Sequence, residues 1–223
     1  IIPEMPKLNK TEKPTQEFSH SDSDFFSAEV SAQLDSVFSK MECSLVLKLY
    51  LDEQPLSTEL KAYMEAVAEH TDKLSVQIAE NSESEKFCPC VRICKEDGTE
   101  TGLAFHGVPG GHEFTSFVLG LYNAAGPGQQ IDEQDKTDIA RITTPMEIQV
   151  LVTLSCTMCP ELVTAVQKIA AENPNVTAEI YDVNHFLKLR EQYHVMSVPC
   201  LVVNGEAVSF GKKNLRQVLD LIV

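Results

Sequence analysis

Long hydrophobic runs are missing from this chain. No stretch approaches the ~18–20 apolar residues of a transmembrane helix. Ile1 to Asp24 is polar, with Pro3, Pro6 and Pro14, and lacks the apolar centre of a secretory leader. Positive charge is scarce: 18 Lys and Arg face 33 Asp and Glu, for a net charge of −15. That argues against nucleic acid, whose phosphates would be repelled, and against anionic membranes. No GxGxxG opens a helix after a strand, so this chain is expected to bind no flavin or nicotinamide itself. The seven cysteines are odd in number and without framework spacing, which favours a cytoplasmic protein over a secreted disulfide scaffold. The first residue is Ile1, not Met, which reads as a fragment of a longer protein.

What is present is one Cys-x-x-Cys, Cys156-Thr157-Met158-Cys159, followed by Pro160. Ile148 to Leu154 before it is apolar and β-branched, as in a buried strand. Pro160 to Ala171 after it has helical character. The pair therefore falls at a strand-to-helix turn, where unpaired N–H groups and the positive end of the helix dipole favour a thiolate. Thiol pKa values in such motifs fall from about 8.5 toward ~3.5–7.5. A reversible dithiol is the chemistry expected there. A zinc site would need three or four ligands, and no second CxxC or paired His lies at a suitable spacing. No metal site is expected. Inert core cysteines are the remaining alternative.

The other elements follow from periodicity. Residues 1–24 have linker composition. A helix follows from Phe25, with Ser23 or Asp24 as cap. Strands are expected near 45–51, 74–79, 90–94 and 102–106, and helices from Pro55 to His70 and His112 to Asn123. Residues 129–144 suggest a short polar helix. Beyond the dithiol helix come a strand at 176–181, a helix at 184–193, a strand from Val198, an Asn204-Gly205 hairpin turn and a last helix to Ile222. The two halves repeat one another, with one helix absent from the first. Gln54-Pro55-Leu56-Ser57 falls opposite Cys156-Thr157-Met158-Cys159, and Pro89 opposite Pro199. The expected organisation is a lead over 1–24, a first copy without dithiol over 25–128, a connecting segment over 129–147 and a redox-active copy over 148–223.

Strand, CxxC, helix, strand, helix, Val-Pro, hairpin and helix form the thioredoxin-like order. The doubled order with one silent copy resembles the N-terminal domain of the flavoprotein subunit of alkyl hydroperoxide reductase. The residues that carry the resemblance are Gly111-His112-Glu113-Phe114-Thr115-Ser116, Leu51-Asp52-Glu53, Ser155-Cys156-x-x-Cys159-Pro160, Val198-Pro199 and Val203-Asn204-Gly205. Thr157-Met158 departs from the His-Asn common in that family, and Cys88, Cys90 and Cys200 are additional. The fold class expected is α/β, two tandem thioredoxin-like folds built as mixed sheets with helices on both faces.

The resemblance implies a relay. Electrons would pass from a flavin-dependent reductase module, carrying FAD and fed by NAD(P)H, through this dithiol to a peroxiredoxin-type acceptor. The reductase module is expected upstream, before the linker-like lead. Cys156 is the expected nucleophile and Cys159 the resolving thiol. The resemblance also implies a cis peptide at Val198-Pro199 facing the dithiol, which leaves the Val198 backbone free to pair with a bound peptide. Thr157 and Met158 are expected at the partner contact. Glu113 is expected to reach the dithiol across the groove between the copies and to accept a proton or tune a thiol pKa, although an acid at a helix start is favoured by the dipole alone. Two rivals stay open: a free-standing general protein disulfide oxidoreductase, and a non-enzymatic docking module.

Overall fold

The computed structural model describes residues 25–223. Its strands and helices follow in chain order as α1 (Ala28–Phe38), β1 (Leu45–Tyr50), α2 (Pro55–Ala68), β2 (Leu74–Ile78), β3 (Cys90–Lys95), β4 (Glu100–His106), α3 (Glu113–Ala125) and α4 (Glu133–Ala140). There follow β5 (Met146–Val152), α5 (Cys159–Glu172), β6 (Val176–Asp182), α6 (Leu187–Gln192), β7 (Cys200–Val203), β8 (Ala207–Phe210) and α7 (Leu215–Ile222). Ser23 and Asp24, the expected caps of the first helix, lie outside the described residues. Ser27 does the capping there: its side chain accepts from the Val30 amide. An alcohol at the N-cap satisfies one of the orphan amides of the first turn.

All eight strands form one sheet, in the order β2-β1-β3-β4-β6-β5-β7-β8. In each repeat a central strand pairs in parallel with one neighbour and antiparallel with the other: β1 with β2 and β3, β5 with β6 and β7. Each ends in a hairpin, β3–β4 or β7–β8. The repeats meet where β4 pairs in parallel with β6, Leu103 opposite Ala178 through His106 opposite Tyr181. The two copies therefore share a sheet, joined head to tail.

Side-chain alternation assigns the faces. Leu45, Leu47 and Leu49, Val91 and Ile93, Leu103 and Phe105, Val150 and Val152, and Ala178 and Ile180 all point into one large core. That core also receives the apolar sides of α1, α2, α3, α5 and α7. On the opposite face Leu151, Tyr181, Cys200 and Val202 pack with Phe186 and Leu189 around α6. The first repeat has no counterpart of α6. Its opposite face carries only the small cluster of Tyr50, Ala79, Cys90 and Ala104.

Turn chemistry agrees with the chain. Asn204 and Gly205 both have positive φ, 52° and 71°, as a tight hairpin turn requires. The polar helix expected within 129–144 is α4. Arg216 of α7 ties to it through Asp135 and Asp138, each at 2.8 Å.

Candidate active site

The apolar strand β5 ends at Val152, and the chain turns through Thr153 to Met158 into α5. The amide of Cys156 donates to the Thr153 carbonyl at 3.0 Å, which closes the turn. The helix begins at Cys159, one residue earlier than its proline suggests, because the Cys159 amide is satisfied by Cys156 Sγ at 3.1 Å. Pro160 sits in the first turn, where a missing N–H leaves no bond unmade. Cys156 and Cys159 are joined as a disulfide with Cα atoms 5.6 Å apart. Cys156 is half-buried and Cys159 fully buried. A thiol partner can therefore meet only the first sulfur. Thr157 and Met158 are exposed between them, Met158 by 53%.

Pro199 follows Val198 through a cis peptide. Pro199 is buried and Val198 half-buried. The following residue, Cys200, pairs with Leu151 of β5, so the cis peptide stands at the same end of the sheet as the dithiol turn. Cys88-Pro89, the silent counterpart of Val198-Pro199 in the repeat, is also cis, and so is Gly126-Pro127.

Glu113 lies at the first position of α3 and is fully buried. Two contacts bring this helix start to the dithiol turn. The amide of His112 donates to the Leu154 carbonyl at 2.9 Å. Gly111, with φ of 55°, lies so close that a Cβ there would stand 2.5 Å from the same oxygen. The rest of α3 packs along α5, with Gly120 against the Gln167 side chain. Glu113 Oε2 meets the hydroxyl of Ser116, and Oε1 has no partner. Burial pushes its carboxyl up to about 7, and the Ser116 hydroxyl partly opposes this.

Two large cavities lie away from the dithiol. One, of about 750 Å³, lies between the repeats at the silent counterpart of the site, lined by Asp52, Gln54, Phe87, Cys88, Pro89 and His185 among others. The second, of about 1200 Å³, runs along the outside of α2 and β2. The dithiol itself is presented on the surface.

The extra cysteines do not converge. Cys90 and Cys94 are buried in β3, Cys200 in β7, and Cys88 is half-buried. Burial raises all four thiols, Cys200 to about 11. Among the described residues no group of three or more His, Cys, Asp or Glu could hold a metal ion. No described helix is long and apolar enough to cross a membrane.

One polar assembly escapes sequence reasoning. At the seam between the repeats, on the face that carries α6, Arg92 of β3 bonds Glu179 of β6 at 2.9 Å and Glu85 at 2.7 Å. Buried His106 places Nε2 2.7 Å from Glu179 Oε2 and Nδ1 2.8 Å from the Phe87 carbonyl, and stacks on Tyr181 at 4.0 Å. The Tyr181 hydroxyl donates to Glu179 at 2.9 Å. His106 and Arg92 hold the Glu179 carboxyl down at about 2, against the opposing pull of burial, which is the largest single effect. Cys90 Sγ is 3.8 Å from His106 Nε2. That nitrogen already faces Glu179, so the trio lacks the arrangement of a catalytic Cys-His-acid relay, in which the acid binds the other nitrogen.

Residues 146–222 match the thioredoxin domain family. The N-terminal domain of the alkylhydroperoxide reductase AhpF of Enterococcus faecalis superposes with a TM-score of 0.84 at 29% identity, over 89% of this chain and all of that one. This chain resembles the tandem thioredoxin-like N-terminal domain of the alkyl hydroperoxide reductase flavoprotein subunit. The AhpF protein of Pseudomonas aeruginosa, also a component of alkyl hydroperoxide reductase, is 30% identical over 87% of this chain and 37% of its own length. A Bacillus subtilis protein named NADH dehydrogenase is 30% identical over 86% of this chain and 37% of its own. The chain thus spans somewhat over a third of these curated relatives. A protein disulfide oxidoreductase from Aeropyrum pernix shares the fold, with a TM-score of 0.76 at 20% identity. This AhpF-like chain is a thiol–disulfide oxidoreductase module of two tandem thioredoxin-like folds, of which only the second carries a dithiol.

Proposed function

We propose that this module relays electrons from a flavin-dependent, NAD(P)H-fed reductase to a peroxiredoxin-type acceptor. The observation that carries the reading is the Cys156–Cys159 disulfide at the start of α5, with its first sulfur accessible and its second buried. A thiolate of the reductase attacks Cys156 Sγ. The disulfide opens, its electron pair leaves on Cys159, and a second donor thiolate releases the reduced pair. Toward the acceptor the order reverses: the Cys156 thiolate attacks the acceptor disulfide, and Cys159 displaces the reduced acceptor. Glu113 supplies and removes the Cys159 proton. Its support is burial, a carboxyl poised near neutrality, and a helix start bonded to the dithiol turn.

The partner surface consists of Thr157 and Met158 on one side and the Val198-Pro199 corner on the other. Surface presentation of the dithiol suits a protein substrate. FAD and NAD(P)H belong to the reductase module in this reading, and the relatives' greater length leaves room for such a module. The module acts in the cytoplasm, where its donor is kept reduced.

The test reconstitutes NAD(P)H oxidation with a thioredoxin-reductase-like flavoprotein, this chain and an oxidised peroxiredoxin. Turnover that needs this chain and vanishes with Cys156→Ser supports the relay. Equal or faster reduction of an unrelated disulfide such as insulin would show the general oxidoreductase instead.

A further inference from the structure

We propose that Ser116 is a positioning residue that keeps Glu113 hydrogen-bonded both with its proton and without it, so that the carboxyl can take up and release that proton. The proposal rests on the reading of Glu113 given above, and extends it to the group that sets its proton.

One hydroxyl hydrogen must serve two contacts. Ser116 is buried, and its Oγ lies within bonding reach of two oxygens of the same residue: the Glu113 carbonyl at 2.9 Å, and Glu113 Oε2. A hydroxyl has one hydrogen and two lone pairs. With Glu113 ionised, both neighbours are pure acceptors and one contact has no hydrogen in it. With Glu113 neutral, its own O–H on Oε2 donates to Ser116 Oγ, and Ser116 donates to the carbonyl. Both contacts are then bonds. The charge-assisted bond from Ser116 to an ionised Oε2 is the stronger of the two, so on balance the hydroxyl favours the ionised acid, in opposition to burial.

Glu113 Oε1 favours the proton instead. It is buried and has no partner. A bare oxygen costs less on a neutral acid than on a carboxylate, which would leave charge unsolvated. When the proton leaves, the Ser116 hydroxyl can turn its hydrogen from the carbonyl to Oε2. The Glu113 carbonyl, inside the first turn of α3, is also in line for the helix amide four residues on. One rotation therefore serves both states.

The surroundings leave this role to Ser116. The dithiol turn bonds His112, which precedes Glu113 on its own chain, and α2 brings the Tyr63 hydroxyl beside Gly110. The Phe114 ring is enclosed by Phe26 and Tyr63. Burial and the Ser116 bond are the two influences on the carboxyl, with no charged neighbour among them. In the relay the donor thiolate supplies the electrons. The S–S bond breaks, the electron pair goes to Cys159, and the proton moves from Glu113 to that sulfur.

The test follows the Glu113 carboxyl by ¹³C chemical shift against pH in the full chain, alongside the pH profile of disulfide exchange. Ser116→Ala is expected to raise the carboxyl midpoint by about one pH unit and to carry the exchange profile with it. Ser116→Thr, which keeps the hydroxyl, is expected to match the parent. A midpoint unmoved or lowered in Ser116→Ala overturns the proposal, whatever the change in stability. Should Ser116→Ala not fold, Ser116→Cys, with its weak donor, reads the same shift. A raised midpoint with an exchange profile that Glu113→Gln leaves untouched supports the role of Ser116 and overturns that of Glu113 in the relay.

Discussion

The amide of His112 donates to the carbonyl of Leu154 at 2.9 Å, so the first repeat holds the backbone of the turn that carries the second repeat's dithiol. This bond needs a very close approach, and Gly111 provides it. Replacement by alanine at φ 55° would bring a Cβ to 2.5 Å from the Leu154 oxygen. Gly111→Ala should therefore lose at least about 2 kcal/mol of stability, from left-handed backbone strain and overpacking together. Thermal or denaturant unfolding measures the loss. Exchange at Cys156 should slow at temperatures where the variant is still folded, since the turn can no longer seat against α3.

The unequal burial of the two sulfurs assigns the chemistry in order. Cys159→Ser should form a mixed disulfide with its partner and keep it, because nothing resolves the bond. The species is visible on a non-reducing gel and is reversed by dithiothreitol. Cys156→Ser should form no such adduct. Adducts of similar yield from both variants would refute the assignment.

Glu113 titrates near 7 when folded and near 4.5 when unfolded. The folded state thus binds the proton more tightly, and stability should fall as pH rises from about 4.5 to 7, then level off. Glu113→Gln removes that slope. It should be the more stable protein above pH 7, by up to about 3 kcal/mol, and should lose the advantage below pH 4.5. Urea unfolding midpoints across pH 4–9 read the crossover.

Glu179 behaves in the opposite sense. Its carboxyl is held at about 2 when folded, so its contribution is complete above the unfolded value of about 4.5 and is lost as pH falls toward 2. Glu179→Gln should cost about 3 kcal/mol near neutrality, because it takes away the carboxylate that faces His106 and one of the two that pair Arg92, in a largely buried setting. The difference from the parent should shrink below pH 4.5. A pH-independent difference would mean that the network is mere packing.

Most elements were legible because burial here obeys simple periods. Leu45, Leu47 and Leu49 alternate onto one face of β1, and the dithiol is flagged by its own spacing. The cap of α1 was misplaced by a few residues because Ser23, Asp24 and Ser27 are chemically equivalent candidates, and only packing selects among them. The fusion of two sheets into one was not legible, since β4 and β6 are far apart in the chain and their pairing leaves no local mark. The same holds for the seam network. Arg92, His106 and Glu179 interrupt otherwise apolar strands, and that interruption was the available signal. It gains meaning only once register puts Arg92, Ala104 and Glu179 in one row. The role of Ser116 was hidden for a different reason. Its motif was visible, but a count of hydrogens needs coordinates.

The head-to-tail seam has a consequence for the ends of the molecule. In the middle, β4 and α3 cover the outer side of β6 and α5. At the first repeat, β2 and α2 present the equivalent side, and no described strand but β1 pairs with β2 there. What remains there is an apolar trough bordered by Glu53, Glu59, Glu65 and Glu69. At the other end β8, only four residues long, is the edge strand among the described residues. A translational array has no closing symmetry, so among the described residues a short last strand and a ring of acids blunt the two ends of this pair of repeats.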